Sequence, residues 1–133
     1  MPQVKTFHEQ TDLENTLKLR EVLETLPEFA RDFFRGISQT TSASTRIKYA
    51  YDIRIFFQYL HEANPVYAKT SVTSYTIDIL DKISALDLEE YIEYLKAYNK
   101  SGTGELITNG EKGLKRKLSA LRAFYAYYYK REI

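Results

Sequence analysis

The sequence predicts an all-α fold of about five helices, and three observations carry that prediction. Only three prolines and five glycines interrupt 133 residues, which leaves room for long helices. Apolar side chains recur three and four residues apart in successive stretches, the period of a half-buried helix. Ser, Thr or Asp stands ahead of several of these stretches, where helix N-caps belong.

The elements follow in order. Met1 to Thr11 has no clear periodicity and reads as a frayed arm. Asp12 is a candidate N-cap for an acidic first helix to about Thr25, with Leu13, Leu17 and Val22 or Leu23 as its apolar stripe. Pro27 suits the first turn of a second helix, where a missing N–H leaves nothing unpaired. Phe29, Phe33, Phe34 and Ile37 form the buried side of that helix, and Gly36 ends it. Gln39 to Ser44 is a polar loop in which Ser42 or Ser44 caps a third helix to about Glu62. Ala50, Ile53, Phe57 and Leu60 share one face of the third helix, and Asn64-Pro65 stops it.

The stretch from Val66 to Ser84 is open between a short extended segment through Val72, Tyr75, Ile77 and Ile79 and a helical turn over residues 77–81. Ser84 or Asp87 then opens a helix to about Tyr98, with Leu88, Ile92 and Leu95 inward and Glu89, Glu90 and Glu93 in water. Asn99 to Gly110 reads as a flexible loop, since it holds Gly102, Gly104 and Gly110. The last helix starts near Asn109 to Glu111, runs to the C-terminus, and is anchored by Leu114, Leu118, Leu121 and Tyr125. Each buried leucine is worth about 1.5–3 kcal/mol.

Composition excludes several classes. At 44% hydrophobic and 28% charged, the chain reads as one soluble globular domain. It has no cysteine, which rules out disulfides and thiolate metal sites and fits a reducing cytoplasm. Met1 to Gln10 is too polar for a signal peptide, and no run approaches the roughly 20 apolar residues of a membrane span, so no membrane partner is expected. The net charge of +1 is uninformative, but its distribution is not: residues 111–133 carry seven Lys/Arg against two Asp/Glu. Salt screens charges beyond about 8 Å, so a ligand feels this local excess.

Those cations are ordered along the last helix. Lys112, Lys115, Arg116, Ser119 and Arg122 fall at i, i+3, i+4, i+7 and i+10, a second stripe beside the leucines. A rigid basic face of this kind suits a helix lying in or along a DNA groove, where Lys and Arg neutralise phosphates and Arg can also read guanine. Ser119 can donate to a phosphate. The same pattern also fits a solvated face, with Lys130 and Arg131 complementing the helix dipole. Thr45, Arg46, Lys48 and Tyr49 form a smaller group in the first turns of the third helix, a natural phosphate site. The alternative there is that Thr45 caps and Tyr49 packs in the core.

Tyr125, Tyr127, Tyr128 and Tyr129 cluster at the end of the last helix, either against a partner or as amphipathic surface cover. No catalytic constellation is visible. His8 and His61 stand far apart and outside any metal-ligand spacing, there is no phosphate-binding glycine loop, and Glu89-Glu90 sits on an ordinary wet face. No cofactor, metal or small-molecule substrate is expected.

The segments Thr45 to Leu60, Leu86 to Leu95 and Lys115 to Tyr125, taken together, resemble the tyrosine recombinase (phage integrase) family. Thr45-x-x-x-Tyr49-x-x-Asp52-Ile53, with Phe56-Phe57-x-x-Leu60, is similar to one of its helices. Leu86 to Leu95 looks like the next, and Lys115-Arg116-Lys117-Leu118-Ser119-Ala120-Leu121-Arg122-Ala123-Phe124-Tyr125 is the most specific match. The resemblance spans about residues 27–133. It implies a four-helix, SAM-like core-binding bundle, here with an extra N-terminal helix: residues 1–25 as arm and acidic helix, residues 26–133 as the DNA-binding domain. It also implies that the second and fourth helices of that bundle approach the major groove of duplex DNA. Thr45, Arg46, Lys48, Tyr49, Lys115, Arg116, Ser119 and Arg122 then become candidate contacts, while Lys112 follows from the helix face alone.

The family's chemistry uses arginines, a lysine, histidines and a nucleophilic tyrosine in a separate catalytic domain. No His-x-x-Arg occurs in these 133 residues, so the fragment is expected not to be an enzyme. Other recombinase protomers in a synaptic complex are the further partners implied. Two features depart from the family pattern: the long connection from Pro65 to Ser84 and the acidic first helix. A helical protein–protein interaction domain is the alternative reading.

Overall fold

The computed structural model describes residues 6–100 and 102–131, the last two as backbone only. Among these residues the chain forms six α-helices, one 3-10 turn and a two-stranded hairpin.

Helix α1 (Phe7–Leu23) begins six residues earlier than the sequence predicts. Thr6 and Glu9 make a reciprocal capping box: Thr6 Oγ1 accepts from the Glu9 N–H at 3.2 Å, and Glu9 Oε2 accepts from the Thr6 N–H at 3.3 Å. This cap, not Asp12, sets the start. Residues 1–5 of the expected arm lie outside the described residues. The stripe is also rotated: Leu13 and Leu17 are 37% and 48% exposed, whereas Leu19 and Val22 enter the core. The partner is α3, and it selects the face it can cover.

Pro27 sits in a turn ahead of α2 (Ala30–Gly36), with its carbonyl accepting from the Ala30 N–H at 3.0 Å, so the proline precedes the helix and does not open it. Phe33 and Phe34 are buried, and Phe29 and Ile37 partly so. Gly36 ends the helix. It also lies beneath the Tyr127 ring, where a Cβ would overlap the aromatic carbons.

Helix α3 (Ala43–Ala63) is the central element. Ala50, Ile53, Phe57 and Leu60 are buried as expected, joined by Ile47, Phe56 and Tyr59. The connection after it resolves into helical turns, a 3-10 turn (Val72–Ser74) and α4 (Ile79–Lys82), with Tyr75, Ile79 and Leu80 buried.

Helix α5 (Ala85–Lys96) uses both candidate start residues at once: Ser84 is the N-cap, and Asp87 completes a capping box. Its most buried residues are Tyr91 and Leu95, while Leu88 and Ile92 are half-covered. The helix stops at Lys96. Residues 97–99 and 106–108 instead form strands β1 (Ala97–Asn99) and β2 (Leu106–Thr108), paired antiparallel with Tyr98 opposite Ile107. The expected flexible loop is therefore a hairpin. Gly102 (φ 89) and Gly104 (φ 71) supply the left-handed conformations its turn needs.

Helix α6 (Glu111–Arg131) closes the bundle. Its buried line is Lys117, Ala120, Leu121 and Phe124, with Leu114, Leu118 and Tyr125 at its margin rather than at its centre. Phe124 explains the rotation. It is fully buried and meets the rings of Phe29, Phe33 and Phe57 at 6.0, 5.2 and 6.0 Å. The side chains of Lys130 and Arg131 lie outside the described residues.

Candidate nucleic-acid interface

The N-terminus of α3 is rigidly built. Ser42 Oγ accepts from the Thr45 N–H at 3.1 Å and contacts Thr45 Oγ1 at 3.0 Å, so Ser42 is the cap and the Thr45 hydroxyl is held beside it. Arg46 turns back: its Nη1 donates to the carbonyl of Ser38 at 2.9 Å and to the carbonyl and hydroxyl oxygens of Thr41. It locks the loop between α2 and α3 instead of projecting freely. Lys48 is exposed. Tyr49 is half-buried, its ring 6.4 Å from that of Phe33.

On α6, Lys112, Lys115, Arg116, Ser119 and Arg122 are all exposed. At about 100° per residue their mean direction lies roughly 160° from that of Lys117, Ala120, Leu121 and Phe124. The aromatic core thus fixes one side of the helix, and the cations stand on the other. Lys115 pairs with Glu111 at 3.2 Å, a contact in water worth about 0.3–0.5 kcal/mol that a phosphate can displace.

Arg116 joins the two helices. Its Nη2 donates to Asp52 Oδ1 at 3.1 Å, from a side chain 57% exposed to one 1% exposed. Asp52 shares its face of α3 with Thr45, Lys48 and Tyr49, at i, i+3, i+4 and i+7. The ion pair therefore sets the stripe of α3 beside the stripe of α6.

Beneath it lies a polar network that sequence reasoning missed. Asp52 Oδ2 is buried with no hydrogen-bond partner among the described residues. Burial raises the Asp52 carboxyl above its ordinary range, against the pull of Arg116 and Lys117. Lys117 is buried, and its Nζ donates to Asn109 Oδ1 at 2.8 Å. Asn109 Nδ2 in turn donates to the Leu95 carbonyl at 2.7 Å, which ties the hairpin and α5 to α6. Burial, and next the charge of Arg116, lower the Lys117 pKa, while Asp52 opposes the shift. The signal was present in the sequence: an acid among the apolar residues of α3 and a lysine among those of α6.

The tyrosine cluster folds mostly onto this domain. Tyr128 Oη donates to the Phe29 carbonyl at 2.6 Å and Tyr125 Oη to the Leu80 carbonyl at 3.3 Å, while Tyr127 lies 5.7 Å from Phe33. Tyr129 remains exposed.

The family model of the phage integrase N-terminal SAM-like domain matches residues 30–132. The chain belongs to this family. No curated protein and no solved structure gives a match. The matched stretch of this integrase domain runs from α2 through α6 and includes both basic stripes, whereas α1 precedes it. It is the core-binding, DNA-binding domain of integrases and not their catalytic domain. Among the described residues no helix is long and apolar enough to cross a membrane.

Proposed function

We propose that this integrase domain grips duplex DNA as one half of a clamp, for a site-specific tyrosine recombinase that cuts and rejoins DNA through a separate catalytic domain. Residues 26–133 would be the gripping unit and residues 1–25 an added segment. The observation that carries this reading is the Arg116–Asp52 bridge, which joins the basic face of α6 to the face of α3 on which Lys48 stands one turn before Asp52. Lys112, Lys115 and Arg122 would neutralise phosphates, and Thr45 and Ser119 would donate to phosphate oxygens. Arg116, held at one nitrogen by Asp52, keeps other N–H groups for the DNA. Arg46 and Tyr49 would shape the phosphate-facing turn. The work would be done in the cytoplasm, with no cofactor.

Half a clamp binds weakly, on the scale of about 10⁻⁴–10⁻⁶ M at physiological salt. Titration of a duplex at several salt concentrations tests the reading. Lys115→Ala should lower the log–log slope by about 0.9, one phosphate contact. An unchanged slope for both Lys115→Ala and Lys112→Ala would reject this face.

A second reading, a protein–protein interaction domain, draws on an apolar groove of about 470 Å³ lined by Leu80, Ile83, Leu88, Ile92, Leu118 and Tyr129. Within the recombinase reading, protomer contacts in a synapse would use such surfaces. A partner bound there would be insensitive to salt.

A further inference from the structure

The face of α3 that carries Lys48 does not end at that lysine. Lys48, Tyr51 and Ile55 lie at i, i+3 and i+7 on one line, which runs into a groove of about 440 Å³ between α3, the end of α5 and the hairpin. Tyr51, Arg54, Gln58, Tyr98, Lys100 and Ile107 are among its walls, and no carboxylate is. Two cations therefore share a concave, partly apolar surface, where low-dielectric walls concentrate their field.

The backbone that carries each cation is ordered, and Arg54 is also held at its side chain. The Arg54 guanidinium lies over the Tyr51 ring at 5.2 Å from its centroid. Lys100 follows β1, and its backbone is closed into the hairpin turn: its N–H donates to the Glu105 carbonyl at 2.7 Å, and its carbonyl accepts from Gly104 at 2.9 Å. Among the described residues neither cation makes an ion pair with a carboxylate.

We propose that this groove holds two adjacent backbone phosphates of the duplex flanking the α3–α6 contact, with Arg54 and Lys100 as their cationic ligands. At 1.5 Å per residue Arg54 lies about 9 Å beyond Lys48 along the helix, so the two cations would meet different phosphates. The hairpin thereby becomes part of the DNA-binding surface and extends it past the two helices. The proposal rests on the DNA-binding reading above.

The test is the salt dependence of duplex binding by the whole chain, measured by fluorescence anisotropy. Removing two phosphate contacts in Arg54→Ala/Lys100→Ala should lower the log–log slope by about 1.8. The double variant Lys18→Ala/Lys69→Ala removes equal charge elsewhere and should leave the slope near the parent's. Arg54→Lys should retain it. Thermal melting of each variant checks that both cations are dispensable for the fold, as their partly exposed positions imply. A slope in Arg54→Ala/Lys100→Ala equal to that of the control overturns the groove as a phosphate site, including the case where it takes an acidic peptide instead. If the parent itself ignores duplex DNA at low salt, the DNA-binding reading fails and this inference falls with it, so the two failures are told apart.

Discussion

Arg116 of α6 donates to the buried carboxylate of Asp52 on α3 at 3.1 Å, and no other hydrogen bond to that carboxylate exists among the described residues. One exposed cation thus does two tasks: it offsets a buried negative charge, and it aligns two helices whose polar faces then form one surface.

Arg116→Ala should therefore destabilise the fold by about 1–3 kcal/mol at pH 7, since it leaves a buried acceptor without its partner. Asp52→Asn in the same chain should recover part of that loss, a coupling a double-mutant cycle by urea denaturation would resolve. The sign with pH follows from the raised Asp52 pKa. The protonated form is favoured in the fold, so the group is best tolerated below its unfolded value of 3.8 and becomes a burden as pH rises through its folded value. The deficit of Arg116→Ala should shrink as pH falls toward that range. A deficit that is independent of pH would contradict this account. Lys115→Ala lacks the structural penalty and is the cleaner probe of DNA binding.

Lys117 depends on Asn109 in the same way. Asn109→Ala removes the acceptor of a buried ammonium and the donor to the Leu95 carbonyl, and should cost about 1–3 kcal/mol. Lys117→Met, close in volume, should restore much of the stability in that background. Because the Lys117 pKa is lowered from 10.5, the fold favours the neutral amine, and stability due to this group rises as pH climbs from its folded value toward 10.5. The gap in melting temperature between Asn109→Ala and the double variant should narrow as pH rises toward 10.5.

Tyrosines make the protein sensitive to alkali. Burial raises the pKa of Tyr59, Tyr67, Tyr75, Tyr91, Tyr98, Tyr125 and Tyr128, and that of Tyr94 to about 12. A raised folded pKa means stability that is complete below pH 10 and lost as pH rises above it. For a fully buried group such as Tyr91 this amounts to at most about 1.4 kcal/mol per pH unit in that window, and for the half-exposed tyrosines to less. Tyrosinate absorbance and loss of helical circular dichroism should rise together above pH 10. Ionisation of all twelve tyrosines with the helices intact would refute this.

Gly36 is required by Tyr127. A Cβ at position 36 would overlap the ring, so Gly36→Ala should destabilise by about 1–3 kcal/mol despite the better helix propensity of alanine. Tyr127→Leu, which removes the overlapping ring atoms, should soften the effect in the double variant.

The helices were legible in the sequence because their signals are local. The buried line of α3 through Ala50, Ile53, Phe57 and Leu60 is a 3.6-residue period, and the Ser42 and Ser84 caps act within four residues of themselves. The exposed cations of α6 were legible for the same reason, as was the family that the match over residues 30–132 shows. The hairpin was masked by Gly102 and Gly104, which with the neighbouring Gly110 read as a loop until Tyr98 finds Ile107. The sequence by itself determined where most helices lie and which residues on α6 are basic. Only the tertiary structure decided which face of α1 and α6 is buried, that Arg46 turns inward, and that Arg116 reaches Asp52. Those outcomes depend on partners far apart in the chain, and periodicity within one helix carries no information about the shape of the surface that will cover it.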